Sequence, residues 1–194
     1  MMLLLAMMIL LTATDDTEVT CEKVVVEYVT ACWEGDGKTV AKHQDEEGLQ
    51  KIGESLLILA RRELGSASPV LTDSVFYRRL TTAELDKMTR EQAFAAYFSM
   101  LGKEGKKLGN KLNSVKALGT VTESPETCHV VYRIVCRELG EEASEPMMLT
   151  CVLENKKWKV RMDGAKFGNY ARFLKHCSQH SEKLNEPSGE PNPR

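Results

Sequence analysis

No sign of charge dominates this chain. Lys and Arg number 26 against 28 Asp and Glu, leaving a net charge of −2 and a pI near 6.1. Phosphate recognition needs a concentrated basic surface, so nucleic acid is not an expected partner. Two local basic runs, Lys103-Lys106-Lys107-Lys111 and Lys156-Lys157-Lys159-Arg161, read as a solvated face or a strand edge, because acidic residues offset them elsewhere. Also missing is an apolar run of the roughly 20 residues that a membrane helix takes. The apolar stretch Met1 to Ala13, interrupted only at Thr12, instead has the length of a signal-peptide core, although no Lys or Arg precedes it. Residues 1–14 are therefore expected to be a removable leader, with a secreted or periplasmic mature protein and no stable membrane span. Residues 15–180 then form one domain, and 181–194 a disordered tail rich in Pro, Gly and Glu.

Catalytic signatures are absent as well. No Gly-rich phosphate loop, nucleophile elbow or Cys-His arrangement occurs. None of the six cysteines (Cys21, Cys32, Cys128, Cys136, Cys151, Cys177) forms a CxxC pair or a zinc-ligand spacing. Each falls on an apolar face, where a free thiol packs as a small hydrophobe; a bridge within the sheet, or between helix and sheet, is the alternative that export would permit. His176 and His180 have the i,i+4 spacing of a helical metal pair but no third fixed ligand. Neither metal nor cofactor is expected.

What the chain does have is a strand-rich stretch from Thr127 to Met162. In its first strand Cys128, Val130, Tyr132, Ile134 and Cys136 share one face and His129, Val131, Arg133, Val135 and Arg137 the other, because strand side chains alternate. A Gly/Glu/Ser/Pro cluster reads as the first turn and Asn155-Lys156 as the second. Beyond it Leu149, Cys151 and Leu153, then Trp158, Val160 and Met162, continue the apolar register, with no Asp or Glu expected on the inward side. A further strand is expected over Leu112 to Val121, giving an antiparallel sheet of about four strands. The valines Val131, Val135 and Val152 interrupt the outward face, which implies cover by a closing helix over Phe167 to Cys177 or by a second copy in a homodimer.

Helical periodicity precedes the sheet. Thr17 to Trp33 buries Cys21, Val24, Val25, Tyr28 and Cys32 on one face, and Gly35-Asp36-Gly37 stops it before a short helix near Lys38. Leu49 to Leu64 repeats Leu49, Ile52, Leu56, Leu59 and Ala60 at helical spacing. Capping-box patterns at Thr81 and Thr89 open helices over Thr82 to Lys87 and Arg90 to Leu101, the latter burying Phe94, Tyr97, Phe98 and Leu101. The fold class is therefore α+β: N-terminal helices packed on a curved antiparallel sheet, plus a C-terminal helix.

That order resembles the cone-shaped superfamily of nuclear transport factor 2, SnoaL-like cyclases and ketosteroid isomerases. The likeness rests on Val24-Val25-Val26-Glu27-Tyr28-Val29-Thr30-Ala31-Cys32-Trp33-Glu34-Gly35-Asp36, similar to the family's first helix and its small-residue joint. It rests also on Glu154-Asn155-Lys156-Lys157-Trp158-Lys159-Val160, similar to its late hairpin. The resemblance implies a cone whose inward faces line a pocket, and a homodimer. It implies no one activity, since the superfamily hosts enzymes and binding modules alike. Tyr28, Tyr97, Tyr132 and Trp158 are the residues expected to line that pocket. The expected function is an exported, non-catalytic domain binding a small apolar ligand or a protein partner. The alternative is a SnoaL-like or isomerase-like enzyme that uses a carboxylate from the helices, such as Asp73 or Glu91.

Overall fold

A computed structural model of the chain describes residues 19–64, 70–138 and 140–162. The expected leader, the helix from Phe167 to Cys177 and the tail lie outside these residues. Among the described residues, eight helical elements are followed by a four-stranded antiparallel sheet in the order β1-β2-β3-β4, an α+β arrangement in which the sheet stays open. No helix among the described residues is long and apolar enough to cross a membrane.

Helix α1 (Cys21–Glu34) begins where the Thr20 hydroxyl accepts from the Lys23 amide, so Thr20 is its cap. It ends at Gly35, whose φ of 71° supplies the left-handed turn. Asp36 then caps α2 (Gly37–His43). The expected Leu49–Leu64 helix starts earlier, as α3 (Glu46–Gly48). It runs through a π-helical turn over Leu49–Glu54 into α4 (Ser55–Arg62). Helix α5 (Val70–Val75) falls where no periodicity had suggested one. Both capping boxes form, at Thr81 for α6 (Thr82–Lys87) and at Thr89 for α7 (Arg90–Lys107). Helix α7 continues past Leu101 because Gly102 and Gly105 are tolerated within it.

The strands are β1 (Lys111–Ser124), β2 (Thr127–Glu138), β3 (Glu141–Glu154) and β4 (Lys157–Val160). Three register irregularities in the β1–β2 pairing bend the ladder. The Gly/Glu/Ser/Pro cluster is not the expected turn: Gly140, at φ 92°, makes it, and Ser144-Glu145-Pro146 belong to β3. Proline is tolerated there for a geometric reason. Leu153 donates to the Glu126 carbonyl, which makes alternate pairs from Glu126–Leu153 the directly bonded ones. Pro146, opposite Arg133, therefore lies in a non-bonded pair with its nitrogen turned from β2, on a side that the short β4 does not reach. The longer β3 also corrects a second expectation. Glu145 pairs with Ile134 and so falls on the inward register, but it is exposed, at a level of the sheet the buried core does not cover.

The core sits between the helices and the inward sheet face, where Val130, Tyr132, Leu149, Cys151 and Val160 meet Val24, Val25, Ile52, Phe94 and Tyr97. The phenyl rings of Phe94 and Phe98 stack at 4.7 Å. Trp158 is only partly buried and packs on the margin of this cluster. Trp158→Ala is accordingly expected to cost about 2 kcal/mol in urea unfolding, below the 3–5 of a fully enclosed aromatic. A loss above 4 kcal/mol would mean that the residue is enclosed after all.

Candidate functional site: an apolar cavity between helices and sheet

Between α1, α7 and the inward face of β2 lies a cavity of about 290 Å³. The helical period of α1 brings Tyr28, Val29, Cys32 and Trp33 to it, and α7 contributes Tyr97, Phe98 and Leu101. Ile52, presented by the π-helical turn, forms part of the wall, with Tyr132 and Ile134 from β2, Met147 from β3, and Met162. Three of the four residues expected at a pocket, Tyr28, Tyr97 and Tyr132, meet here. Trp158 does not line it. The sequence had pointed to the tyrosines by their register. Trp33 went unmarked because it lies at the end of α1, where periodicity alone does not show that a hollow begins, and Leu101, expected to be buried on α7, is instead partly exposed at the cavity.

The tyrosines form the buried part of the wall. Tyr28, Tyr97 and Tyr132 are 3, 5 and 2% exposed, whereas Leu101 of α7 and Met147, which pairs with Tyr132 across the β2–β3 ladder, are both 41% exposed. The hydroxyl of Tyr28 donates to Gln44 Oε1 at 2.9 Å, and Gln44 Nε2 donates to Asp45 Oδ1 at 2.6 Å and to the Val160 carbonyl at 2.9 Å. Asp45 Oδ1 also accepts from the Gly48 amide at 3.0 Å. This buried relay ties the cavity floor to the corner after α2 and to the edge of β4, where Asp45 N also donates to the Val160 carbonyl at 3.0 Å. Burial raises the pKa of Tyr28 well above the ordinary phenol range, and Cys32, Asp45 and Tyr132 push the same way. Tyr28 therefore stays protonated and remains a donor. The hydroxyl of Tyr132 donates to Met147 Sδ at 3.7 Å.

The named carboxylates lie elsewhere. Asp73 and Glu91 are exposed, on α5 and at the start of α7, and neither lines the cavity. Asp45 is linked to Tyr28 through Gln44. A separate thiol cluster lies under the start of α1. There Cys128 and Cys151 face each other across the β2–β3 pair with Cys21 beside them, all free. Burial pushes Cys151 up to about 12 and Cys128 higher still, so both are thiols at neutral pH and pack as apolar groups. No cluster of His, Cys, Asp and Glu suited to a metal ion occurs among the described residues.

Near the relay, His43 is buried on α2 with Nε2 3.0 Å from Glu27 Oε2. Burial lowers its pKa below 6.5; Glu27 opposes that shift, while Lys42 and Lys159 reinforce it. The unfolded chain then takes up its proton first, so stability is full above about pH 6.5 and declines as pH falls toward the lowered folded value. Comparing urea midpoints at pH 7.5 and 5.5 should show His43→Gln to be less acid-sensitive than the parent. Equal acid sensitivity would remove His43 as a cause.

Set beside protein-family models, curated proteins and solved structures, the chain matches none of them, so its reading rests on its own geometry.

Proposed function

We propose that this is an exported, non-catalytic domain, built like the cone-shaped proteins it resembles, that holds a small apolar molecule between its helices and sheet. One observation carries the reading. Among the described residues the cavity wall is aliphatic, aromatic, thioether and thiol, with no carboxylate, imidazole, ammonium or guanidinium in its lining. Such a surface gains from taking apolar area out of water, and its volume is near the lower bound of about 300 Å³ for small-molecule sites. An isomerase-like step needs a base beside the reacting carbon. Asp45, the carboxylate that reaches Tyr28 through Gln44, already accepts from Gln44 and Gly48.

The two tryptophans supply the test, because Trp33 lines the cavity and Trp158 does not. In a Trp158→Phe variant the emission of Trp33 is expected to shift and saturate as 1-decanol is added. A further Cys32→Phe change, which fills the space beside Trp33, should abolish the response while leaving the far-ultraviolet circular dichroism intact. A linear, unsaturated drift in emission over the solubility range of decanol would defeat the proposal.

A further inference from the structure

Wall and surface meet at one oxidisable side chain. Among the described residues, the groups of the cavity lining that a peroxide attacks most readily are two thioethers, Met147 and Met162, and the thiol of Cys32. Met162 and Cys32 are half-buried, whereas Met147 is 41% exposed, so of the three it is the one that solvent reaches most freely. Its neighbour Met148 is 57% exposed but belongs to the other face of the sheet: Met147 pairs with Tyr132 on the inward register, and Met148 with Val131 on the outward one. Met100 on α7 is buried. Strand alternation thus places two adjacent thioethers in the same solvent, with Met147 in the cavity wall and Met148 outside it.

We infer that Met147 is an oxidation site through which a peroxide lowers the hold of the cavity on its ligand. A sulfur lone pair takes one oxygen of the peroxide: an S–O bond forms, the O–O bond breaks, sulfur is oxidised by two electrons to the sulfoxide, and the other oxygen of hydrogen peroxide leaves as water. The surroundings suit that product. Thioether sulfur is a weak acceptor, yet the Tyr132 hydroxyl already donates to Met147 Sδ at 3.7 Å. A sulfoxide oxygen accepts far more strongly, and Tyr132, 2% exposed, is a buried donor beside it.

Held by that hydrogen bond, the oxidised side chain stays at the wall instead of turning out into water. The lining then carries an S=O dipole, and an apolar ligand packed against it must take that dipole out of solvent without offering it a partner. This inference rests on the apolar-binding reading above and adds to it a chemical control of the same wall. Oxidation of Met148, on the other face, leaves the wall as it was.

The Trp158→Phe protein is titrated with 1-decanol before and after hydrogen peroxide at pH 6.5, where the thiolate through which cysteine is oxidised is disfavoured. Peptide mapping is expected to find Met147 as the sulfoxide and Met100 unchanged, with the affinity for decanol lowered about fivefold. Methionine sulfoxide reductases should restore it. Adding Met148→Leu should leave the fall in place, whereas adding Met147→Leu should make treated and untreated affinities equal, whatever the affinity of that variant itself. The oxidation site is overturned, and apolar binding stands, if affinity is unchanged although Met147 is oxidised, if the fall persists in Met147→Leu, or if peroxide converts Met148 and spares Met147. If the untreated protein does not bind decanol, both readings fall.

Discussion

Valine in place of Gly102 is expected to leave little folded protein at 25 °C. A Cβ at this position would lie 2.3 Å from the Gly35 Cα and 2.4 Å from its nitrogen, so the obstacle is backbone rather than a side chain that can turn away. Gly35 cannot retreat easily, since its φ of 71° ends α1. Either α7 or the α1–α2 joint must move, which also opens the cavity mouth between Trp33 and Leu101. A cost above about 4 kcal/mol follows, most of the stability of an ordinary domain. Two neighbouring glycines on the same stretch act as controls of opposite sign. At Gly105 a Cβ would meet Asn110 Nδ2 at 3.6 Å, an ordinary contact, so Gly105→Ala should be neutral or gain up to about 1 kcal/mol of helix propensity. At Gly109 nothing lies within 4 Å, but φ is 81°, so Gly109→Ala should lose about 1 kcal/mol by backbone strain alone. Urea denaturation of the three variants measures all of this. A Gly102→Val protein within 1 kcal/mol of the parent would show that the close approach does not exist.

The fold class was legible because period and punctuation agreed. Capping boxes at Thr81 and Thr89 placed two helix starts to the residue, and alternation in β2 put Val130, Tyr132 and Ile134 on the buried face. What misled was composition read without pairing. Ser144-Glu145-Pro146 carries every local mark of a turn, yet pairing with β2 holds it as strand, and the proline is harmless because its side of β3 is open. The cavity was legible only in its floor. Periodicity reports which residues face inward, and it reported the tyrosines. It does not report where the inward face is left unfilled, which depends on how the helices stand against one another, as at Gly35, Gly37 and Gly53, where the α1–α2 joint, α2 and the π-helical turn come close to α7. Gln44 was invisible for a related reason. A lone glutamine after a short helix looks like a solvated cap, and only its partners from α1 and β4 show it to be buried.

Those partners make Gln44 the second position of large effect. It is 1% exposed and serves three groups at once: the Tyr28 hydroxyl, the Asp45 carboxylate and the Val160 carbonyl. Gln44→Leu leaves the Tyr28 hydroxyl without its acceptor, at about 1–3 kcal/mol, and takes one donor each from the Asp45 carboxylate, which keeps the Gly48 amide, and the Val160 carbonyl, which keeps the Asp45 amide, at about 1 kcal/mol each. A loss of at least about 3 kcal/mol is expected, nearly independent of pH. Gln44→Glu differs in a way that tests the relay directly. A carboxyl now stands where Nε2 lay 2.6 Å from Asp45 Oδ1, and two carboxylates that close cannot both ionise at little cost. The pair holds one proton, so the folded pKa of the new glutamate is raised above its unfolded value of about 4.3. A raised carboxyl pKa means that the protonated form is the one the fold favours. Stability is then fullest below about pH 4.3 and declines as pH rises through the folded value. That slope is opposite to the loss on acidification expected from His43 in the parent. The variant should therefore gain on the parent as pH is lowered from 7.5 to 5, and Gln44→Leu should not. If Gln44→Glu and Gln44→Leu lose the same amount across that range, Gln44 does not touch Asp45, and Tyr28 at the cavity floor is held by something other than this relay.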